Sequence, residues 1–386
     1  MSKGPLDGVQ VLDLSRLLPG AMCSLILAQL GAKVVKVEDT GAGDYLRHFP
    51  PLKGGMGGAY YALNRGKRSI AINLKQPQGK ALLLRLLPRF RVMLEGFRPG
   101  TMDRLGLGYE ALKQAHPELI LCSISGYGQT GPMAHRAGHD ITYMSLAGAL
   151  AAGGEAGGKP ALPGVQVADL AGGALWPVIR ILAALMQDEG CHLDVSMTEG
   201  ALSMLLPALG DFAFGAPALK RGEGLLNGGA GVYRPYATAD GKHLAVAPIE
   251  PKFWLALGQA LGVEARSDDA FAPPERQAEV SAQLERVLKQ KDREAWTEEL
   301  RQVDACVEPV LELHELADHP QHIARGAFCT TEDPVLGPIT LPRLPLEGEL
   351  PATPAPGQGE HTDQVLREAG VRQDEIATLR RDGVIR

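Results

Sequence analysis

Residues 9–38, VQVLDLSRLLPGAMCSLILAQLGAKVVKVE, decide the fold class of this chain. The stretch begins and ends with β-branched runs, residues 9–15 and 33–38, and residues 21–32 between them form a helical stretch. A strand, a helix and a second strand in this order make a βαβ unit, from which parallel sheets are built. Both runs are largely apolar on both faces, as strands covered by helices should be.

The same alternation continues along the first half of the chain. Residues 69–74, 91–96 and 119–126 read as strands, with helical stretches between them. Parallel sheets bind their ligands outside the carboxyl ends of strands, so the loops EGFRPG (95–100) and SGYGQTG (125–131) are the expected ligand-binding rim. The first strand is followed by SRLLPG and not by GxGxxG, which argues against a nicotinamide-dependent dehydrogenase.

A chain of 386 residues exceeds the usual size of a single core, so two domains are expected. Later in the chain, two strand-like arms around Asp240-Gly241 predict a β-hairpin, and charged helical stretches follow, as in a smaller α+β domain. The predicted domain boundaries are residues 1–205 for the N-terminal part of a large Rossmann-like domain, 206–228 for a linker, 229–325 for a small α+β domain, and 326–386 for a return segment that completes the large domain.

Composition bounds the possible partners. Hydrophobic residues make up 45% and charged residues 22%, as in ordinary folded proteins, and the net charge of −6 gives no sign of a nucleic-acid-binding surface. The five cysteines are scattered without metal-ligand or disulfide spacing, so they are expected to be reduced and no metal site is predicted. No secretory signal, membrane-spanning apolar run or peroxisomal tripeptide is recognised. We therefore expect a cytoplasmic protein without nucleic-acid or membrane partners.

Three segments with acid/base candidates stand at predicted helix starts. His139 and Asp140 follow the glycine-rich loop, where free backbone N–H groups suit an anionic ligand or a developing oxyanion. Asp169 begins a long apolar helix, in whose first turn Gly172 and Gly173 permit close backbone approach by another helix or by a ligand. Glu250 ends an apolar strand just before Pro251. Taken singly, each acid is most simply a capping or first-turn residue that complements the helix dipole.

Twelve motifs, taken together, resemble the family III coenzyme A transferases and, within them, the branch of α-methylacyl-CoA racemases. The match runs through nearly the whole chain. The motifs are DLSRLLPG (13–20), GAKVVKVE (31–38), NRGKRSIAINLK (64–75), EGFRPGTMDRLGLGYEAL (95–112), GYGQTGP (126–132), AGHDITY (137–143), VADLAGG (167–173), NGGAG (227–231), YATADGK (236–242), IEPKFW (249–254), DACVEPV (304–310) and GEHTDQVL (359–366).

The resemblance implies a fold and an assembly: an α/β protein with a Rossmann-like large domain and a smaller α+β domain, forming an interlocked homodimer. It also implies a reaction, the interconversion of (2R)- and (2S)-2-methylacyl-CoA thioesters in lipid metabolism. His139 and Asp169 would be the acid/base pair, with Glu250 of the other subunit orienting His139. Backbone N–H groups at the start of the Asp169 helix would stabilise the enolate oxygen. No separate cofactor is implied, because coenzyme A is part of the substrate.

The resemblance also implies which residues contact coenzyme A. They are Leu17, Ile72, Asn73, Leu74, Lys75, Gly96, Phe97, Arg98, Arg104, Gly138, Asp140, Ile141, Thr142 and Tyr143. Two positions depart from the racemase pattern: Thr142 replaces an asparagine, and Asp39 stands where an arginine usually contacts a phosphate. The missing contact is either absent or supplied by Arg47, Arg65 or Lys67.

Two other functions remain open from the sequence. In a CoA-transferase of the same family, Asp169 would be the nucleophile that attacks the thioester. His139 and Glu250 favour the racemase, because transferases commonly carry another residue at the histidine position and a glutamine near the position of Leu17. A third possibility is a protein that binds acyl-CoA without catalysis. The acyl chain itself is not encoded in any motif.

Overall fold

The computed structural model describes residues 4–187, 189–346 and 353–386. Over these residues the chain divides into two compact units. The first consists of Met1–Ala147, Val165–Ser203 and Pro320–Arg386, and the second of Gly148–Gly164 and Met204–His319.

A six-stranded parallel sheet forms the first unit, which confirms the predicted α/β class. The strand order is β5-β2-β1-β6-β7-β8, so the chain moves outward in one direction from β1 and then in the other from β6. The order therefore reverses between β1 and β6. The strands are β1 (Gln10–Asp13), β2 (Lys33–Glu38), β5 (Arg68–Ala71), β6 (Val92–Glu95), β7 (Ile120–Ser125) and β8 (Cys191–Ser196), with β3 (Leu52–Lys53) and β4 (Met56–Gly57) in a separate hairpin.

Apolar side chains of the sheet meet those of the surrounding helices in one core. Leu12 of β1 and Val35 of β2 are fully buried there beside Leu83, and Ile376 comes from the C-terminal end of the chain. The helices of this unit are α1 (Leu17–Gln29), α2 (Gly58–Asn64), α3 (Pro77–Leu86), α4 (Thr101–Arg104), α5 (Tyr109–Ala115), α6 (Asp140–Leu146), the π-helix Ala168–Leu175, α8 (Trp176–Gln187), α9 (Met197–Ser203), α14 (Pro320–Ala324), α15 (Thr362–Glu368) and α16 (Gln373–Arg381), while α7 (Ala149–Ala152) lies in the second unit.

The C-terminal segment completes the first unit. Thr362 accepts a hydrogen bond from the backbone N–H of Ala71 at 3.1 Å, and Ile385 pairs with Ile72 beside the end of β5. A further hairpin precedes it, formed by β12 (Phe328–Asp333) and β13 (Gly337–Pro342). The return of the tail onto the sheet is thus made by specific contacts.

The second unit is α+β. Its antiparallel sheet has the order β11-β10-β9, and Asp240-Gly241 turns the predicted hairpin between β9 and β10, with Gly241 at φ +76°. Its elements are β9 (Arg234–Ala237), β10 (His243–Val246), β11 (Val307–Pro309), α10 (Leu206–Ala213), α11 (Pro251–Leu261), α12 (Pro274–Leu288) and α13 (Arg293–Leu300).

The units differ from the predicted boundaries in three places. Residues 148–164, predicted within the large domain, belong to the second unit, and residues 320–325 belong to the first. Residues 206–228, predicted as a linker, also belong to the second unit, where they include a helix. Pro207 lies in the first turn of this helix, Gly210 lies inside it and Gly215 follows it, so these residues do not mark a structureless connection.

One helical stretch in the described residues, Ala168–Gln187, is long and apolar enough to cross a membrane. The sequence analysis had recognised no such run. Length and composition alone satisfy this criterion, and core helices of soluble proteins satisfy it as well. Here Gly172 and Gly173 are buried against residues of the same unit.

Candidate active site

The first part of the site is the start of α6. As predicted, the helix begins at this point, with His139 as the N-cap in extended conformation and Asp140 as the first helical residue. The hydroxyl of Thr142 accepts a hydrogen bond from the His139 N–H at 3.0 Å and so fixes the histidine backbone. The histidine itself is exposed, as are Ile141 and Thr142.

The ring of Tyr143 packs against both ends of the loop that leads to His139. A Cβ on Gly126 would lie 2.3 Å from the Tyr143 ring, and one on Gly138 would lie 2.5 Å from it. The ring is buried and makes an edge contact with Tyr127 at 5.1 Å between centroids. Burial, followed by the charge of Asp169, raises the pKa of Tyr143 to about 12, so the phenol is neutral. The two glycines are required for close approach to this ring.

Asp140 connects the two predicted acid/base residues. Its Oδ1 accepts a hydrogen bond at 2.9 Å from the backbone N–H of Asp169, 29 residues along the chain. The start of α6, which carries His139, is therefore tied to the start of the π-helix, which carries Asp169. The N-cap interpretation of Asp140 is wrong, since His139 is the N-cap and the Asp140 carboxylate is bonded to another helix. The same bond occupies the Asp169 N–H, which was expected to be open to an enolate oxygen.

Asp169 lies in the first turn of the π-helix, and Val167 is the N-cap. Burial of its carboxyl, followed by repulsion from the nearby Asp140 charge, raises the pKa of Asp169 from 3.8 to about 6. At neutral pH the protonated and ionised forms therefore both exist in useful amounts. A carboxyl in this state can donate or accept a proton.

Glycines let the π-helix approach its neighbour. A Cβ on Gly200 of α9 would lie 2.2 Å from the Cα of Gly172, and one on Gly172 would lie 2.5 Å from the carbonyl oxygen of Met197. The predicted close approach at Gly172 and Gly173 is thus one of helix to helix. It fixes the backbone that carries Asp169.

Glu250 lies in the second unit. It is exposed and is the N-cap of α11, where its backbone carbonyl accepts hydrogen bonds from Phe253 and Trp254 at 3.1 Å. Its carboxylate makes no capping hydrogen bond to this helix. The carboxylate is therefore available to a partner elsewhere.

A crevice lies at the carboxyl ends of β1 and β6, where the strand order reverses. Leu17 begins α1 with φ +64°, a left-handed conformation that is rare and costly for a leucine. Gly96 follows β6, and a Cβ there would lie 3.7 Å from the Cβ of Ser15. Phe97 is half-buried, and Arg98 is exposed. In open α/β sheets this reversal is where ligands bind, so these predicted coenzyme A residues share a suitable location.

The remaining residues predicted to contact coenzyme A differ in how exposed they are. Ile72 is buried in the core of the first unit, and Leu74 packs against that core. Asn73 accepts a hydrogen bond from the Lys75 N–H at 3.1 Å, while the Lys75 side chain is exposed. Arg104 is also exposed and donates to Thr101 at 2.9 Å. Ile72 is only 1% exposed and its N–H donates to the Glu38 carbonyl at 2.9 Å, so this predicted contact is not accessible to a ligand.

Three cations were predicted as possible replacements for an arginine at position 39: Arg47, Arg65 and Lys67. In the structure all three side chains are engaged inside the protein. The guanidinium of Arg47 donates two hydrogen bonds to the carboxylate of Glu38, at 2.6 and 2.8 Å. Arg65 donates to the carbonyl of Pro342. Lys67 is fully buried, and burial lowers its pKa to about 7. We therefore reject these three as phosphate ligands.

The sequence analysis missed Arg16. Its Nη2 lies 2.8 Å from Oδ2 of Asp39, and its side chain is 31% exposed. The residue was visible in the loop SRLLPG after the first strand, where ligand contacts are expected in a parallel sheet. Its pairing with position 39 depends on the neighbouring strand and is not visible in the sequence.

Each of the two units contains a cavity. A cleft of about 770 Å³ lies in the second unit between α12 and residues 222–230, and none of the predicted site residues lines it. A smaller one of about 240 Å³ lies in the first unit, lined by Glu95, Arg98 and His192 among others. In the described part of the chain, no three histidine, cysteine or acidic side chains cluster as a metal ion would require.

Comparison with known proteins agrees with this geometry. The model of the family described as CoA-transferase family III matches residues 6–362. The chain is 37% identical over 392 residues to "Alpha-methylacyl-CoA racemase" of Homo sapiens, covering 98% of this chain and 97% of that protein. It is 31% identical over 404 residues to "Succinyl-CoA:glutarate CoA-transferase" of Mus musculus, covering 100% of this chain and 91% of that protein.

A solved structure extends the similarity to the fold. The crystal structure of a CAIB/BAIF family protein from Brucella suis superposes with a TM-score of 0.83 at 29% sequence identity. The match covers 95% of this chain and 100% of the other.

Proposed function

The chain belongs to CoA-transferase family III, and from that premise we propose that it is an α-methylacyl-CoA racemase. It interconverts the (2R) and (2S) epimers of 2-methylacyl-CoA thioesters. The observation that carries the proposal is the bond from Asp140 to the Asp169 N–H, which joins the helix starts bearing His139 and Asp169. The racemase relative, at 37% identity against 31% for the transferase, supports the same choice.

The proposed chemistry moves one proton off and one proton onto the same carbon. A thioester makes its α-hydrogen weakly acidic, and a base on one face of the carbon removes that proton to leave an enolate. A protonated group on the opposite face then returns a different proton. His139 and ionised or protonated Asp169 exchange these roles according to which epimer is bound.

The raised pKa of Asp169 suits this exchange of roles. A carboxyl of pKa about 6 holds a proton often enough near neutral pH to act as the acid. It also loses that proton readily enough to act as the base for the other epimer. An aspartate near its ordinary value of 3.8 would seldom be protonated at pH 7.

We propose that Glu250 positions His139 from the partner subunit of a homodimer. Exposed apolar side chains support an assembly, since α10 has no buried residue and exposes Leu206, Leu209 and Phe212, with Phe214 just beyond it. Contiguous exposed apolar surface on a folded chain marks sites of association. The exposed carboxylate of Glu250 is then free to act across the interface.

Deuterium exchange tests the proposed function. The wild-type protein, incubated with one epimer of a 2-methylacyl-CoA in deuterated water, should incorporate deuterium at C2 and change the epimer ratio. His139→Ala should lose epimerisation by about 10²–10⁴-fold while retaining thioester binding, because a general base contributes about that factor. Mass spectrometry and chiral chromatography give the two readouts.

Two outcomes oppose the proposal. A wild-type protein that binds the thioester but exchanges no α-hydrogen is a binding protein without this activity. The transferase alternative predicts a covalent intermediate on Asp169, so inactivation by hydroxylamine during turnover, with an adduct at Asp169, would replace the racemase by a transferase.

A further inference from the structure

Arg16 occupies the centre of the crevice where the strand order reverses. It follows β1 and is the N-cap of α1, with an extended backbone at φ −133° and ψ 162°. Its guanidinium reaches Asp39, the residue after β2, at 2.8 Å on one side. On the other side it lies 5.8 Å from the ring centroid of Phe97, just beyond β6. One side chain therefore crosses the carboxyl ends of three adjacent strands.

The guanidinium is held in a fixed position. Its carbon also lies 5.5 Å from the ring centroid of Tyr45, and Nη1 is 3.4 Å from the hydroxyl of that residue. The next residue, Leu17, adopts the left-handed conformation, and its N–H donates to Asp44 at 3.3 Å. Such strain is retained where the surrounding structure fixes a functional position.

Hydrogen-bonding capacity remains on this side chain. A guanidinium has five N–H donors, and the described contacts use Nη2 toward Asp39 and, at a longer distance, Nη1 toward Tyr45. Arginine binds phosphate through paired N–H groups and does so while one edge is held by a carboxylate. Unlike Arg16, Lys36 and Lys67 are fully buried and cannot reach a ligand.

We propose that Arg16 binds a phosphate group of the coenzyme A portion of the substrate, with Asp39 orienting the guanidinium. The inference rests on the proposed function in one respect, that the ligand is a coenzyme A thioester. The resemblance implies a phosphate-binding arginine at position 39, and Arg16, which follows the neighbouring strand, places its guanidinium beside that position. Arg98, exposed on the loop after β6, lines the cavity that also contains Glu95 and His192.

Binding of free coenzyme A, followed by isothermal titration calorimetry, tests this proposal without requiring any reaction. Arg16→Gln should weaken binding by about tenfold or more, because a charge-assisted hydrogen bond to phosphate is lost. Arg85→Gln is the matched control, since Arg85 is also partly exposed and paired to a carboxylate at 2.8 Å, on Glu375. The control should bind coenzyme A as the wild type does.

Titration with 3′-dephospho-coenzyme A identifies the phosphate. If the difference between wild type and Arg16→Gln disappears with this ligand, the contact is to the 3′-phosphate. If the difference persists, the contact is to the diphosphate. Equal binding of coenzyme A by wild type and Arg16→Gln would overturn the proposal.

A second variant separates binding from a purely structural effect. The double variant Arg16→Gln/Asp39→Arg places a guanidinium back in the same space and should bind coenzyme A within about threefold of the wild type. If affinity stays as low as in Arg16→Gln, the arginine only holds the loop and the proposal is wrong. Failure of the proposed racemisation would instead appear as absent deuterium exchange in a wild-type protein that still binds coenzyme A.

Discussion

At the scale of single residues, burial raises the pKa of Asp169 and the charge of Asp140 adds to that rise. Asp140 holds the Asp169 N–H and at the same time places a negative charge beside that carboxyl. The two effects can be separated, because an asparagine keeps the accepting oxygen and removes the charge. Asp140 was predicted as a coenzyme A contact and, taken singly, as a helix cap; its bond to Asp169 could not be found locally, since Asp169 lies 29 residues along the chain.

Asp140→Asn should lower the pKa of Asp169. Removing the neighbouring negative charge makes the ionised form of Asp169 less costly, so its pKa falls below about 6. With the epimer from which Asp169 removes the proton, kcat/KM for deuterium exchange falls at acidic pH as Asp169 becomes protonated. In Asp140→Asn this fall, the acidic limb of the profile, should occur at lower pH than in the wild type. A profile measured from pH 4.5 to 8 with each epimer checks this.

The matched control for that profile is Asp211→Asn, an exposed acid of α10. Its acidic limb should coincide with that of the wild type. A limb that stays in place in Asp140→Asn would mean that burial alone raises the pKa of Asp169.

Asp169→Asn should abolish epimerisation and yet stabilise the fold at pH 7. The folded-state pKa of about 6 lies above the unfolded value near 3.8, so the ionised carboxyl destabilises the folded protein as pH rises through this range. One pKa unit corresponds to about 1.4 kcal/mol, and partial solvent screening reduces the gain to about 1–2 kcal/mol. Chemical denaturation at pH 4 and pH 7 measures it.

The gain should be present at pH 7 and much smaller at pH 4, where the folded state holds the proton and the unfolded state is only about half ionised. A variant that is equally stabilised at both values would indicate a packing effect without an electrostatic one.

At the scale of elements, the packing of the π-helix on α9 decides where Asp169 lies. The glycines of this segment predicted a close approach, but neither the partner helix nor the π-helical winding has a signal in the sequence. Winding of this kind recurs at functional sites, where an element departs from the regular α-helix. Similarly, the INLK motif marked a binding segment, but the side chain of Ile72 belongs to the core because the residue directly follows β5 and pairs with Ile385.

Gly200→Ala should destabilise the protein by about 1–3 kcal/mol, as overpacked sites do. The added methyl would lie 2.2 Å from the Gly172 backbone, so the π-helix must shift and exchange should fall with stability. Thermal denaturation and deuterium exchange are the two measurements.

Gly58→Ala is the control, because Gly58 is exposed at the start of α2 and its added methyl meets nothing closer than 3.9 Å. This variant should be as stable as the wild type or slightly more stable. Similar losses in both variants would show that the contact between Gly172 and Gly200 has no special importance.

At the scale of the whole molecule, the fold class and both units were predictable from alternating strands and helices. The boundaries were not, because residues 148–164 join the second unit through contacts with residues distant in sequence. Arg221, for example, donates to the carbonyl of Ala151 at 3.2 Å. The association of subunits stays a prediction. If it is correct, the roles of His139 and Glu250 can be tested with dimers of two different variants.

Mixed dimers of His139→Ala and Glu250→Gln should recover activity that neither variant has alone. If Glu250 acts across the interface, the mixed dimer contains one site with both groups intact and one site with neither. Random pairing of equal amounts should therefore restore about a quarter of wild-type activity. Co-expression with two different affinity tags isolates the mixed dimer for assay.

Isolated mixed dimers that stay inactive would place Glu250 and His139 in one subunit. The control is the mixed dimer of His139→Ala and Asp169→Asn, whose altered residues belong to the same first unit. That dimer should have no activity unless each site is assembled from both chains' first units.

The contact of Tyr143 with Gly126 and Gly138 has a consequence for how this protein can diversify. Both ends of the segment preceding His139 rest on one ring, and the N–H of Gln129 is further bonded to Asp194 at 3.0 Å. Residues 130–137 can therefore change in length and composition during evolution while His139 stays where it is. Natural variation or directed insertion in that short segment is therefore expected to leave the backbone at His139 in place.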